Sequence, residues 1–440
     1  MTKRYLGNII VENPTAPVPT ARPSTIGSAK GVWSLNEALT YQKAGQWPYP
    51  VFAPDAPVIG TATAGSSSAT VSFSAPSDDG GLDITQYTAT SSPSSITGTA
   101  SSSPITVTGL SNGTSYTFTV TATNAVGVGP ASSSSNSASP VAPVYAMIAG
   151  GAKVGGPGRL RDIQRFSMSS LGNASDFGDL TQDLRFLGAC GNATRTLFAG
   201  GDASSGATTN IDYVSPISGG QAANFGTMTY TMERNTALAN STRGIIVSGR
   251  VGGNNWGDIN YVTIASTGNA SNFNTIQRSS LTGFADNAAC ASTTRGVFGG
   301  GQNASSVETS NIYYVTIATT GERTSFGNLV EGNQELCATS SSTRGLFCGG
   351  KSSDTTIQYV TIASTGNTTD FGDLTQERGK SAAASSSSTR ATIAGGKEYF
   401  ASSNTIDYVT IASTGNAADF GDLIYPLWST AGTSNGHGGL

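Results

Sequence analysis

From residue 145 to its end this chain writes one unit six times: a tract of the kind Ile406-Asp-Tyr-Val-Thr-Ile-Ala-Ser-Thr-Gly-Asn followed by Asp419-Phe-Gly-Asp-Leu. The phenylalanine of the second element stands at 177, 225, 273, 326, 371 and 420, so the units are 45 to 53 residues apart. A single unit of that length cannot bury its own apolar face, so the copies must pack on one another. Short β-rich tracts repeated at about 40 to 50 residues predict the blades of a β-propeller, here with six blades.

The fifth unit reads strand by strand. Leu336 to Ser340 is one strand, Ser341-Ser342-Thr343 a turn, Gly345 to Cys348 a second strand and Gly349-Gly350 its stop. Ile357 to Ile362 alternates as a third strand, Ser364 to Asn367 turns, and Thr369 to Leu374 is a fourth. An apolar strand ending in a double glycine, then a tyrosine, then a larger aromatic resembles the kelch repeat. Double glycines stand at 150, 200, 300, 349 and 395, and the third unit departs with Ser248-Gly249-Arg250. The tyrosines are Tyr213, Tyr261, Tyr314, Tyr359 and Tyr408, each 12 residues before its phenylalanine, with Arg165 in the first unit. That gap is longer than in kelch repeats, so the likeness is one of architecture.

The first unit begins at its second strand, Tyr145 to Ala149, and lacks a first. The last residues, Trp428 to Leu440, repeat the missing element, with His437 aligned on Arg344. The expectation is a C-terminal strand beside residues 145 to 149 that closes the toroid and leaves no open edge.

Residues 55–142 are rich in Ser, Thr and Pro and resemble a fibronectin type III domain. Pro57, Ala69-Thr-Val71-Ser-Phe73, Tyr87 and Leu110 to Val120 carry the resemblance, which implies a β-sandwich with a tyrosine corner at Leu110 and Tyr116. Residues 1–54, broken by Pro14, Pro17, Pro19 and Pro23, read as an extended N-terminal docking arm with a short capped helix near Ser34 and Glu37. The stretch from Gly31 to Pro48 resembles a segment of tailed-bacteriophage structural proteins, and the Tyr-Val-Thr-Ile-Ala-Ser-Thr-Gly-Asn tracts are similar to those of virion proteins from marine contractile-tailed phages. The resemblance implies that Trp33, Leu35, Leu39, Tyr41 and Trp47 dock the arm on other virion proteins.

Only 11% of residues are charged and the net charge is −4, which supplies no basic surface for nucleic acid. No apolar run follows Lys3 and Arg4, and none reaches about 20 residues, so neither a leader nor a membrane span is expected. Phage virion proteins are made in the host cytoplasm without a leader, which agrees. Cys190, Cys290, Cys337 and Cys348 are read as reduced core thiols, with Cys337 and Cys348 placed to face one another. His437 is the single histidine, which excludes histidine-rich metal sites; no metal or cofactor site is assigned, and the paired acids Asp176/Asp179, Asp370/Asp373 and Asp419/Asp422 read as solvated edge charges. No catalytic residue is assigned.

Function comes from comparing the units. Loops after strands one and three share one end of the disc and keep their wording, Ser-Thr-Arg and Ser-Thr-Gly-Asn. Loops after strands two and four share the other end and differ from unit to unit. Varied loops on a rigid frame are where recognition is usually placed. Asn254, Asn255, Trp256, Phe284, Tyr399, Phe400 and Tyr425 are the candidate recognition residues, with Trp428 read as a cover for the blades. The expected role is a tail-fibre or baseplate-associated virion protein that presents the propeller to a host-surface glycan or protein. A capsid decoration or purely architectural piece is the alternative, and a carbohydrate-active enzyme a remote one. The oligomeric state stays open.

Overall fold

The computed structural model describes residues 51–440 apart from 154, 157, 252, 253, 275–283, 304, 352–354, 380, 381, 399 and 400. These residues are all-β, with no helix among them. They form two compact units that meet between Ala142 and Pro143. The expected docking residues Trp33, Leu35, Leu39, Tyr41 and Trp47 lie outside the described residues.

The first unit is two three-stranded sheets. Val58–Ala64, Ser68–Ser74 and Ile105–Thr108 make one, and Thr97–Ala100, Gln86–Ser92 and Thr117–Thr123 the other. Strict alternation puts Ala69, Val71 and Phe73 on one inner face and Phe118, Val120 and Ala122 on the other, all buried in one core. Burying each of the larger side chains contributes about 1.5–3 kcal/mol. Phe73 packs on Tyr87 at 4.6 Å between ring centroids. Tyr116 is 2% exposed, and its hydroxyl accepts the Ser111 N–H at 3.1 Å, which is the corner geometry. The sandwich also takes in residues read as arm: Phe52 N–H donates to Gly80 O at 2.9 Å, and Phe52 O accepts from Asn124 Nδ2 at 2.7 Å.

The second unit holds six antiparallel sheets, each with a path of four strands. The first strands are Gly188–Gly191, Thr236–Ala239, Ala288–Ala291, Cys337–Ser340, Ala383–Ser386 and Ala431–Ser434. The last of these pairs with Tyr145–Ala149 in the register Ala431↔Ala149 to Ser434↔Ala146, so the C-terminal segment supplies the strand the first sheet lacks in sequence. Each first strand neighbours that of the next sheet, and Ala431–Ser434 neighbours both Gly188–Gly191 and Ala383–Ser386.

One arginine per sheet ties it to the next. Arg195, Arg243, Arg295 and Arg344 donate from Nη1 to the carbonyls of Ile264, Ile317, Ile362 and Ile411 at 2.8–2.9 Å, and Arg390 reaches Met168 O in the first sheet at 2.9 Å. Each guanidinium lies over the tyrosine of its own sheet, as Arg344 does over Tyr359 at 4.4 Å, and that ring meets the repeat phenylalanine edge-on. The first sheet exchanges the two residues. Tyr145 holds the arginine's register, Arg165 the tyrosine's, they still stack at 4.3 Å, and Arg165 Nη1 reaches Pro216 O at 3.1 Å.

All four cysteines are free and buried. Cys337 and Cys348 are direct cross-strand partners, and burial pushes the Cys190 and Cys290 thiols up to about 12.

Candidate functional site

At one end of the six sheets the recurrent wording is used up in joints. The Gly268, Gly366, Gly415 and Gly172 N–H groups donate to the carbonyls of Phe225, Phe326, Phe371 and Phe420 in the preceding sheet at 2.8–3.0 Å. The asparagine beside the glycine accepts from the same strand, as Asn416 Oδ1 does from Asp373 N–H at 3.1 Å and Asn173 Oδ1 from Asp422 N–H at 3.0 Å. The paired acids therefore belong to strands engaged by the neighbouring turn.

At the opposite end, the residue two positions before five of the six first strands holds varied chemistry in a fixed conformation, the sixth lying outside the described residues. Phe186, Arg234, Asp286, Glu335 and Ser429 all have φ between +54° and +61°, a region that costs a non-glycine residue of order 1 kcal/mol. A chain of hydrogen bonds holds them there. Phe186 N–H donates to Ser429 O, Arg234 to Phe186 O, Asp286 to Arg234 O and Glu335 to Asp286 O, at 2.8–3.1 Å.

The side chains of this collar interlock. Arg234 lies 4.1 Å over the Phe186 ring and grips both Asp286 oxygens from Nη1, at 3.0 and 3.1 Å. Loss of water raises the Asp286 pKa, more than Arg234 lowers it. Desolvation likewise raises Glu233. Asp202 is desolvated too, but Arg159 at 2.9 Å and Arg185 at 2.8 Å outweigh that and hold it below the usual carboxylate range. Asp202 thus stays charged between two guanidiniums.

Below the collar lies a cavity of about 70 Å³ to which all six first strands or their leading residues contribute. Its accessible lining is mainly polar; small side chains such as Ala189, Ala237, Ala289 and Ala384 border it, as do the buried residues Asn235, Asn287 and Thr430. The recurrent end is crossed by the C-terminal segment. His437 Nε2 lies 2.7 Å from Gly191 O, and Gly438 N–H donates to Ser340 O at 2.9 Å. A Cβ at Gly439 would sit 1.9 Å from Ala239 O, so only glycine passes there. His437 Nδ1 accepts the Gly439 N–H at 3.1 Å, which puts the ring proton on Nε2. Burial lowers its pKa, and the Gly191 carbonyl only partly offsets this.

This corrects the alignment of His437 with the arginines. In the first sheet Tyr145 fills that register, which frees the residues after Ser434 to turn inward over the first strands.

The candidate recognition residues separate. Asn254, Asn255 and Trp256 were read as loop, yet they belong to strand Asn254–Thr263, paired with Val251, Arg250 and Gly249, because the hairpin continues past the bulge at Ser248. Asn254 is exposed. Phe284 is corrected from surface to core. It is 6% exposed and packs on Tyr313 at 5.6 Å, with Arg323 over both rings. The fourth sheet carries Tyr313 where its siblings place Gln164, Asp212, Asn260, Gln358 and Asp407, and Phe284 fills the apolar contact this creates. Tyr425 is half-buried, with Lys153 Nζ 3.2 Å over its ring, and Tyr399 and Phe400 lie outside the described residues. Trp428 packs edge-on against Phe186 at 6.0 Å.

Sequence reasoning missed the collar and the cavity. The signal was present, since Phe186, Arg234, Asp286, Glu335 and Ser429 occupy one repeat position with five different side chains.

The family model of the fibronectin type III domain matches residues 53–138, which assigns the sandwich to that family. Among curated proteins no relative matches the chain.

Proposed function

We propose that this chain is a phage virion structural protein, tail-fibre or baseplate-associated, that binds a host-surface glycan or protein without catalysing a reaction. Residues 143–440 act as a six-bladed, kelch-like propeller closed by its C-terminal strand. Supporting the ring, the arginine-to-carbonyl bond recurs at six successive joints, including Arg390 to Met168 and Arg165 to Pro216. The sandwich serves as spacer and residues 1–54 dock on other virion proteins, made with it in the host cytoplasm.

The observation that carries the reading is the difference between the two ends of the sheets. One end is chemically uniform and consumed by inter-sheet hydrogen bonds, and the other changes from unit to unit on the same frame. Selection for packing alone leaves both ends equally repetitive. The Trp256→Ala and Tyr399→Ala variants are expected to melt like the parent and to reduce adsorption of particles to host cells. Undiminished adsorption overturns the adhesive role, and failed particle assembly with normal melting turns it into an architectural one.

A further inference from the structure

We propose that the rim of the collar binds an acidic saccharide, its carboxylate or phosphate held by Arg185, Arg234 and Lys397 and its sugar ring laid against Trp428. The proposal names a ligand class for the adhesive reading and rests on that reading for the source, a host-surface glycan.

The first observation is a row of cations and rings drawn from four neighbouring sheets. Lys397 Nζ lies 5.5 Å from the Trp428 ring, the Arg185 guanidinium 6.0 Å from Trp428 and 5.2 Å from Phe186, and the Arg234 guanidinium 4.1 Å from Phe186. Trp428 is half-buried, and a flat ring that reaches the surface takes the C–H face of a sugar. The second observation is that both arginines are anchored on one edge and open on another. Arg185 gives Nε to Asp202 at 2.8 Å, and Arg234 gives Nη1 to both oxygens of Asp286 at 3.0 and 3.1 Å. The Arg185 Nη groups, and Nε and Nη2 of Arg234, take no hydrogen-bond partner among the described residues, and none of them is sealed from solvent. The two side chains are 28% and 22% exposed. A guanidinium fixed by a carboxylate on one edge keeps preformed N–H donors for an oxyanion on another.

The third observation is charge. Arg159, Arg185, Arg234, Arg250 and Lys397 stand in this sector against Asp202, Glu233 and Asp286, five cations to three carboxylates, in a chain whose net charge is −4. The fourth and fifth sheets instead place Glu308 and Glu335 with Lys351 on their part of the rim. Positive charge left over on one sector draws an anion there and gives a neutral sugar nothing extra. The fold itself does not ask for these cations. The repeat position of Arg185 is Glu233, Ala285 and Gln334 in sibling sheets, and that of Lys397 is Ala152, Asp202 and Gln302.

The test titrates the full chain, by calorimetry and saturation-transfer NMR, with the methyl glycosides of glucuronic acid and N-acetylneuraminic acid, glucose 6-phosphate, neutral methyl glucoside and inorganic phosphate. At least one acidic sugar is expected to bind about tenfold or more tighter than methyl glucoside and to weaken as salt is raised. Binding of the two sugar acids identifies a carboxylate-bearing glycan as the source, and binding of glucose 6-phosphate a phosphorylated one. Arg185→Lys keeps a cation beside Asp202 but removes the open edge, and Lys397→Gln breaks no ion pair among the described residues. Both variants are expected to melt like the parent and to weaken the acidic probe, by about tenfold and about threefold. Lys351→Gln, on the other sector, is expected to leave binding within about twofold. Equal binding of acidic and neutral sugars, inorganic phosphate bound as tightly as any sugar, or equal losses in Lys397→Gln and Lys351→Gln each overturns the proposal. Adsorption lost in Trp256→Ala with no acidic probe bound removes the site and leaves the adhesive role. An acidic probe bound, with adsorption unchanged in Arg185→Lys, Lys397→Gln and Trp256→Ala, does the reverse.

Discussion

At the scale of single residues, the arginine at the start of each second strand shows how a repeat is held in step. Its guanidinium bonds a carbonyl of the next sheet and covers the tyrosine of its own, so one side chain sets both spacing and tilt. A charged donor to a carbonyl is worth roughly 1.5–3 kcal/mol. The exchange of Arg165 and Tyr145 keeps that contact while reversing its residues, which identifies the stack, not the position, as what is required. His437 gives the residue-scale prediction. Its folded pKa lies below the ordinary 6.5, so the unfolded chain binds the extra proton as pH falls. Its contribution is complete above 6.5 and is lost on acidification below it. His437→Gln is therefore expected to flatten the decline in melting temperature between about pH 7.5 and 5.5, whereas parallel melting curves for the two proteins leave His437 no such role.

At the scale of the element, the turn of one sheet and the fourth strand of its neighbour form a single joint, and two glycines in it have opposite tolerances. A Cβ on Gly327 falls 2.0 Å from Gly366 O, whereas one on Gly366 meets nothing within 4 Å. Gly327→Ala is expected to cost about 2–4 kcal/mol in a denaturant titration and Gly366→Ala under about 1, and equal costs contradict the joint. Much of this level was legible beforehand. The strands of the fifth unit fall at Cys337–Ser340, Arg344–Cys348, Thr356–Thr361 and Thr369–Asp373, within a residue or two of where alternation and turn residues put them. The failure at Asn254 to Trp256 has a local cause. Glycine and asparagine signal a turn, but a hairpin can run several residues further when both strands keep pairing, and composition does not reveal where pairing stops. Phe284 failed because its partner, Tyr313, lies on the neighbouring sheet.

At the scale of the whole molecule, Ala431–Ser434 joins residues nearly 300 positions apart, so the proposed ring depends on one short strand. Ending the chain after Leu427 removes that strand with the His437 segment, and bares the edge of Tyr145–Ala149. The shortened protein is expected to lose the cooperative melting transition of the second unit and to aggregate, while the sandwich keeps its own. A calorimetric trace with both transitions unchanged rules out closure by this strand. The sequence by itself determined the six units, their strand order, the sandwich with its tyrosine corner, and which end of the units varies, because each is written in local spacing of apolar, glycine and turn residues. Only the tertiary structure decided which varied residues share a space. Phe186, Arg234, Asp286, Asn235 and Asn287 come from three different units, about 50 residues apart in the chain, and their left-handed backbones, ion pair and unpaired oxygens exist only once the first strands of the sheets stand side by side.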